Sequence, residues 1–178
     1  MTFQPRFNDL ATMLHDVVGK YGERPILGMR AADGWKWTSY AEFGRLVDQA
    51  RAAFAARGLG RGDRVGVISN NRLEWAVGAY AAFTLGAVWV PMYESQLDAD
   101  WQFILQDCGA RVCFVSGDAI AKRVRGFSNQ LPQLEHVIDF DAPGDDGFAA
   151  FMRGGEKRDV AAITPDAGDV AIFIYTSG

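Results

Sequence analysis

Arg64-Val65-Gly66-Val67-Ile68-Ser69, then Arg72 to Leu85, then Ala87-Val88-Trp89-Val90, is the stretch that decides the fold. The first piece reads as a strand, the second is alanine-rich and reads as a helix, and the third reads as a strand again. Gly86 stands where a helix C-terminus favours glycine. No charged residue occurs between Glu74 and Glu94, and the run Trp75 to Tyr93 is nearly long enough to cross a bilayer. Gly78, Gly86 and Pro91 interrupt it, however, and its composition changes halfway. A buried helix followed by a buried strand accounts for this run, so no membrane anchor is predicted.

The same alternation continues outward in both directions. Downstream, a helix is predicted from about Asp98 to Asp107, then the strand Arg111-Val112-Cys113-Phe114-Val115-Ser116. A more basic helix, about Asp118 to Gln130, precedes the strand Glu135-His136-Val137-Ile138-Asp139-Phe140. Upstream, a helix from about Asp9 to Lys20 is expected to start on Asn8 as N-cap, with Leu10, Met13, Leu14, Val17 and Val18 on one apolar stripe. A hairpin is predicted about Ala32-Asp33-Gly34. Ser39-Tyr40-Ala41-Glu42 fits a capping box, and the helix it opens has Phe43, Leu46, Val47, Ala50 and Phe54 on its core face and ends at Gly58. Strands alternating with crossover helices predict an α/β fold, with a mostly parallel sheet covered by helices on both faces.

Residues 1–140 are expected to form this α/β subdomain. Residues 141–169 read as an irregular connector, with turn-rich segments at Asp141 to Gly147 and Thr164 to Asp169 and one helical turn near Phe148 to Met152. Residues 170–178 read as a further buried strand, Val170 to Ile174, opening into Thr176-Ser177-Gly178. Because stable domains rarely end at the tip of a buried strand, the chain is expected to be the N-terminal piece of a longer protein.

A hydrophobic fraction of 49%, with twelve Phe and five Trp, predicts a substantial core. The net charge of −4 comes without a basic stripe, so nucleic acid is not an expected partner. The first residues lack an apolar signal core, which predicts a cytoplasmic location. Cys108 and Cys113 are too few for a disulfide scaffold and are expected as packed, reduced thiols. His15 and His136 lie far apart, and neither a metal-ligand cluster nor a Ser/His/Asp or Cys/His set is visible.

Gly58-Leu59-Gly60-Arg61-Gly62 would suit a dinucleotide loop, but it follows a helix and precedes a strand, the reverse of what such a loop requires. A plain connection is expected there. Ser69-Asn70-Asn71-Arg72 lies at the carboxyl end of a central strand, where open α/β sheets bind ligands; the simpler expectation is that Asn70 caps the next helix and Arg72 is solvated. Thr176, Ser177 and Gly178 offer two hydroxyls and a permissive backbone, suited to phosphate.

Three segments in order, Trp37-Thr38-Ser39-Tyr40-Ala41-Glu42-Phe43, Leu85-Gly86-Ala87-Val88-Trp89-Val90-Pro91 and Tyr175-Thr176-Ser177-Gly178, resemble the acyl-adenylate-forming (AMP-binding) synthetase superfamily. The resemblance runs from about Leu10 to Gly178. Glu74-Trp75 with Val90-Pro91-Met92-Tyr93 looks most like its long-chain fatty acyl-CoA synthetase branch.

This resemblance implies the N-terminal part of an ATP-dependent fatty acid–CoA ligase, using ATP, Mg2+ and coenzyme A. Thr176, Ser177 and Gly178 would contact the ATP phosphates. The family's remaining functional residues would follow Gly178, so no catalytic or metal-binding residue is assigned here and the chain alone is expected to be inactive. Its implied partners are a fatty acid, ATP and CoA. Peripheral membrane contact and a homodimer are compatible with it. The alternative expectation is a non-catalytic, stand-alone α/β association module.

Overall fold

The computed structural model describes residues 6–176. Helix α1 (Leu10–Tyr21) starts one residue later than the sequence pattern suggests, with Asp9 as N-cap in place of Asn8. One Asp9 carboxylate oxygen accepts from the Thr12 amide and the other from the Thr12 hydroxyl, each at 2.7 Å. These contacts hold the Asp9 carboxyl below its ordinary range, with the Thr12 amide the main cause. A double acceptor three residues ahead of a Thr satisfies the helix start in a way Asn8 cannot from its position.

Strands β1 (Pro25–Ala31) and β2 (Gly34–Ser39) form an antiparallel hairpin, with Ala31 opposite Gly34. Helix α2 (Tyr40–Ala56) begins where expected, with one half of the predicted capping box: the Ser39 hydroxyl accepts from the Glu42 amide at 3.2 Å. Phe43, Val47, Ala50 and Phe54 are fully or almost fully buried along one side of it.

The main sheet follows. It contains β3 (Arg64–Ile68), β4 (Val88–Met92), β5 (Val112–Val115) and β6 (His136–Asp139), all parallel, in the order β4-β3-β5-β6. Helix α3 (Leu73–Leu85) links β3 to β4, α4 (Asp98–Cys108) links β4 to β5, and α5 (Asp118–Phe127) leads toward β6. The basic helix is shorter than its sequence pattern, because Ser128–Gln130 tightens into a 3-10 turn. Helix α6 (Phe148–Arg153) lies beyond β6.

Period-two alternation divides the sheet between two cores. Val65, Val67, Trp89 and Phe114 face α1, α2, α3 and α6, whereas Ile68, Val90, Cys113 and Val115 face α4 and α5. Phe114 anchors the first core, meeting Phe54, Phe140, Phe148 and Phe151 with ring centroids 5.1–6.0 Å apart. Trp101 and Leu105 of α4 are the buried anchors of the second. Gly78 admits the Trp89 ring to α3: a Cβ there would stand 2.7 Å from the indole. Gly86 ends α3 in the left-handed region at φ 78°, as its sequence position predicts.

Burial pushes the Cys108 and Cys113 thiols up, and both are unbridged. No described helix is long and apolar enough to cross a membrane.

The segment after β6 is more closely docked than its polar composition suggests. Gln49 and Arg51 of α2 donate to the carbonyls of Met152 and Val160 at 3.0 and 2.8 Å. The chain then runs parallel to β4, with the Trp89 amide donating to the Ala171 carbonyl and the Phe173 amide to the Trp89 carbonyl, both at 3.0 Å. The buried strand expected over Val170 to Ile174 is here an extended segment with a single bridge, Trp89 to Ile172. Val170 is 49% and Ile174 69% exposed. A segment outside the last strand has a neighbour on one side only, so half of its side chains and backbone groups face outward.

Candidate functional site

The chain leaves β3 toward β4 and leaves β5 toward β6, so the loops after β3 and β5 diverge to opposite faces of the sheet. A crevice opens at their carboxyl ends, the usual ligand position of an open α/β sheet. Every strand contributes a polar residue to its rim: Ser69 to Arg72 after β3, Glu94 after β4, Ser116 after β5 and Asp141 after β6. Together with Lys36 and Thr38 of the hairpin they line a cleft of about 530 Å³.

Glu94 binds the rim together. One carboxylate oxygen accepts from the Asn70 amide at 3.0 Å and also from the Ser116 hydroxyl, and the other accepts from the Asn70 side-chain amide at 2.7 Å. Asn70 therefore does not cap α3, as the sequence suggests it should. The cap position falls on Arg72, which makes no side-chain cap bond. A carboxylate offering acceptors to both Asn70 donors outweighs a single bond to a helix amide, since hydrogen bonds to charged groups are the stronger ones.

Nor is Arg72 solvated. Its guanidinium donates to Glu74 at 2.8 Å and to both Asp141 oxygens at 3.1 and 2.8 Å, and it lies 5.0 Å from the centre of the Phe140 ring. These hydrogen bonds, led by the one to Asp141, push Arg72 further up, and they hold Asp141 below the ordinary carboxylate range. Glu94, Ser116 and Asp141 were not singled out from sequence. Their only signal was position: each follows the apolar run of a predicted strand.

A second cavity, of about 590 Å³, shares Ser69 and Asn71 with the first and extends past Trp75 and Tyr93 to Tyr175 and Thr176. Thr176 is exposed on its wall. Before it, the Tyr175 hydroxyl donates to Asp107 at 2.6 Å, and its ring meets Phe103 edge-on. Ser177 and Gly178, the other two predicted phosphate contacts, lie outside the described residues.

The glycine run has the structural role expected of it. Gly60 donates to the Asp63 side chain and Gly62 to the Gly86 carbonyl, both at 2.8 Å, in a tight helix-to-strand connection. Among the described residues no three His, Cys, Asp or Glu side chains gather into a group that could hold a metal ion.

A family model described as AMP-binding enzyme matches residues 14–178. The long-chain-fatty-acid–CoA ligase FadD15 of Mycobacterium tuberculosis is 31% identical over 159 residues, covering 86% of this chain and 26% of that protein. The human long-chain-fatty-acid–CoA ligase ACSBG1 is 26% identical over 177 residues, covering 93% of this chain and 24% of its own. The chain thus spans about a quarter of the length of these relatives. A crystal structure of a long-chain-fatty-acid-CoA ligase from Archaeoglobus fulgidus superposes with a TM-score of 0.84 over 99% of this chain and 36% of that one. At 18% identity, this last likeness bears on the fold alone.

Proposed function

The chain belongs to the AMP-binding enzyme family, and from that membership we propose that it forms the N-terminal part of an ATP-dependent long-chain fatty acid–CoA ligase. The observation that carries this is the 31% identity to a long-chain-fatty-acid–CoA ligase over 86% of the chain. In the reaction a fatty acid carboxylate oxygen attacks the α-phosphorus of ATP and pyrophosphate leaves. The thiol of coenzyme A, losing its proton, then attacks the acyl carbon and AMP leaves. The enzyme works in the cytoplasm, and Mg2+ accompanies the nucleotide through groups outside this chain.

This chain's own part is to start the phosphate loop. Thr176 and Ser177 supply hydroxyls, and Gly178 lets the backbone approach a polyanion closely while charge builds during transfer. The exposed position of Thr176 on a cavity wall at the carboxyl end of the sheet supports this role. Phosphate affinity needs several convergent donors, so the chain by itself is inactive.

The test has two arms. In the full-length protein, labelled pyrophosphate should exchange into ATP only with acid present, long-chain fatty acids should support it best, and Gly178→Val should abolish it. Exchange driven by aryl acids alone would overturn the substrate assignment. For the isolated chain, calorimetry with ATP and magnesium should register no binding; a saturable isotherm would overturn its incompleteness.

A further inference from the structure

The segment leading to Thr176 is held to the sheet by few bonds. Among the described residues its last backbone hydrogen bond is from Phe173 to Trp89, and Ile174 and Thr176 both point to solvent. Tyr175 alone turns back. Its hydroxyl donates to Asp107 Oδ2 at 2.6 Å, and its ring packs perpendicular to Phe103 with centroids 6.4 Å apart. Residues 103 and 107 are one helical turn apart, so both contacts fall on one face of α4. That helix is fixed to the sheet by Trp101 and Leu105, which are 0% and 2% exposed. It is therefore a rigid reference for whatever Tyr175 holds.

Asp107 is also oddly placed for a helix. It sits in the last turn of α4, where no basic residue accompanies it and the helix dipole disfavours an acid. Among the described residues its carboxylate makes no other hydrogen bond or ion pair. The Tyr175 contact is the use the structure makes of it. Burial and this contact push the Tyr175 hydroxyl up, so it stays a donor across physiological pH.

We propose that Tyr175 and Asp107 are positioning residues, a latch that fixes the phosphate loop's first residue against α4. The proposal rests on the phosphate-contact role of Thr176. In the full-length protein, Tyr175→Phe and Asp107→Ala should each raise the KM for ATP about three- to tenfold, the loss expected for one solvent-exposed hydrogen bond of ordinary net strength, with kcat within about twofold. Asp107→Asn keeps an acceptor oxygen and should restore the KM, and the double variant Tyr175→Phe/Asp107→Ala should be no worse than either single one. In the full-length protein, Tyr175→Phe should also speed hydrogen exchange at the Phe173 amide. A wild-type KM in Tyr175→Phe, with Gly178→Val inactive, overturns the latch and leaves the phosphate loop standing. If Gly178→Val is itself as active as wild type, the phosphate role of the loop fails, and unchanged exchange at Phe173 then overturns the latch as well.

Discussion

Arg72 illustrates how much a single side chain on this rim depends on its neighbours. From sequence it is one more cation at the start of a helix. In the fold it joins the loop after β3 to the segment after β6 through paired hydrogen bonds to Asp141. Because Asp141 is held below its ordinary range, its contribution to stability is complete above the unfolded carboxylate range and is lost as pH falls through the depressed folded value. Asp141→Asn should therefore cost about 0.2–1 kcal/mol at neutral pH, a figure kept small by the half-exposed carboxylate. Urea midpoints measured for both proteins should differ at pH 7, and the gap should close as pH falls through the depressed folded value of Asp141; a gap that does not narrow in acid would mean that the pair contributes through packing. Asn70 makes the same point at this scale. Its preference for helix caps is genuine, but Glu94, which follows a different strand, offers it two bonds.

At the scale of elements, those whose partners are close in sequence were legible and those docked from afar were not. The Ser39 cap and the Gly86 stop follow from residues within one or two turns, so local pattern suffices. Helix α6 shows the opposite. Its six residues look like a stray turn in a polar connector, yet Phe151 is 0% exposed and meets both Phe54 and Phe114. Such burial cannot be read from its flanks, which are glycines and charged residues. Phe151→Ala should cost about 3–5 kcal/mol by emptying that aromatic cluster, measured as a shift in the urea midpoint. A loss under 1 kcal/mol would mean that α6 is detachable.

For the whole molecule, the sheet is shared by two cores, with fully buried Trp89 on one side and fully buried Trp101 on the other. Neither core can open without exposing strands that the other also packs against. Unfolding followed by far-ultraviolet circular dichroism and by tryptophan fluorescence should therefore superimpose in one transition, and separated midpoints would show that the two faces melt independently. The α/β class, the succession of strands and helices, and the family resemblance are legible in the amino-acid order alone, because alternation, caps and glycine stops act over a few residues. Strand order, the crevice between β3 and β5, the Glu94 and Arg72 networks and the docking of residues 170–176 beside β4 were decided only in the tertiary structure. Each depends on hydrogen bonds and burial between residues far apart in sequence, such as Asn70 and Glu94, 24 positions apart, and Arg72 and Asp141, 69 apart, and local preference carries no information about which distant partner will be met.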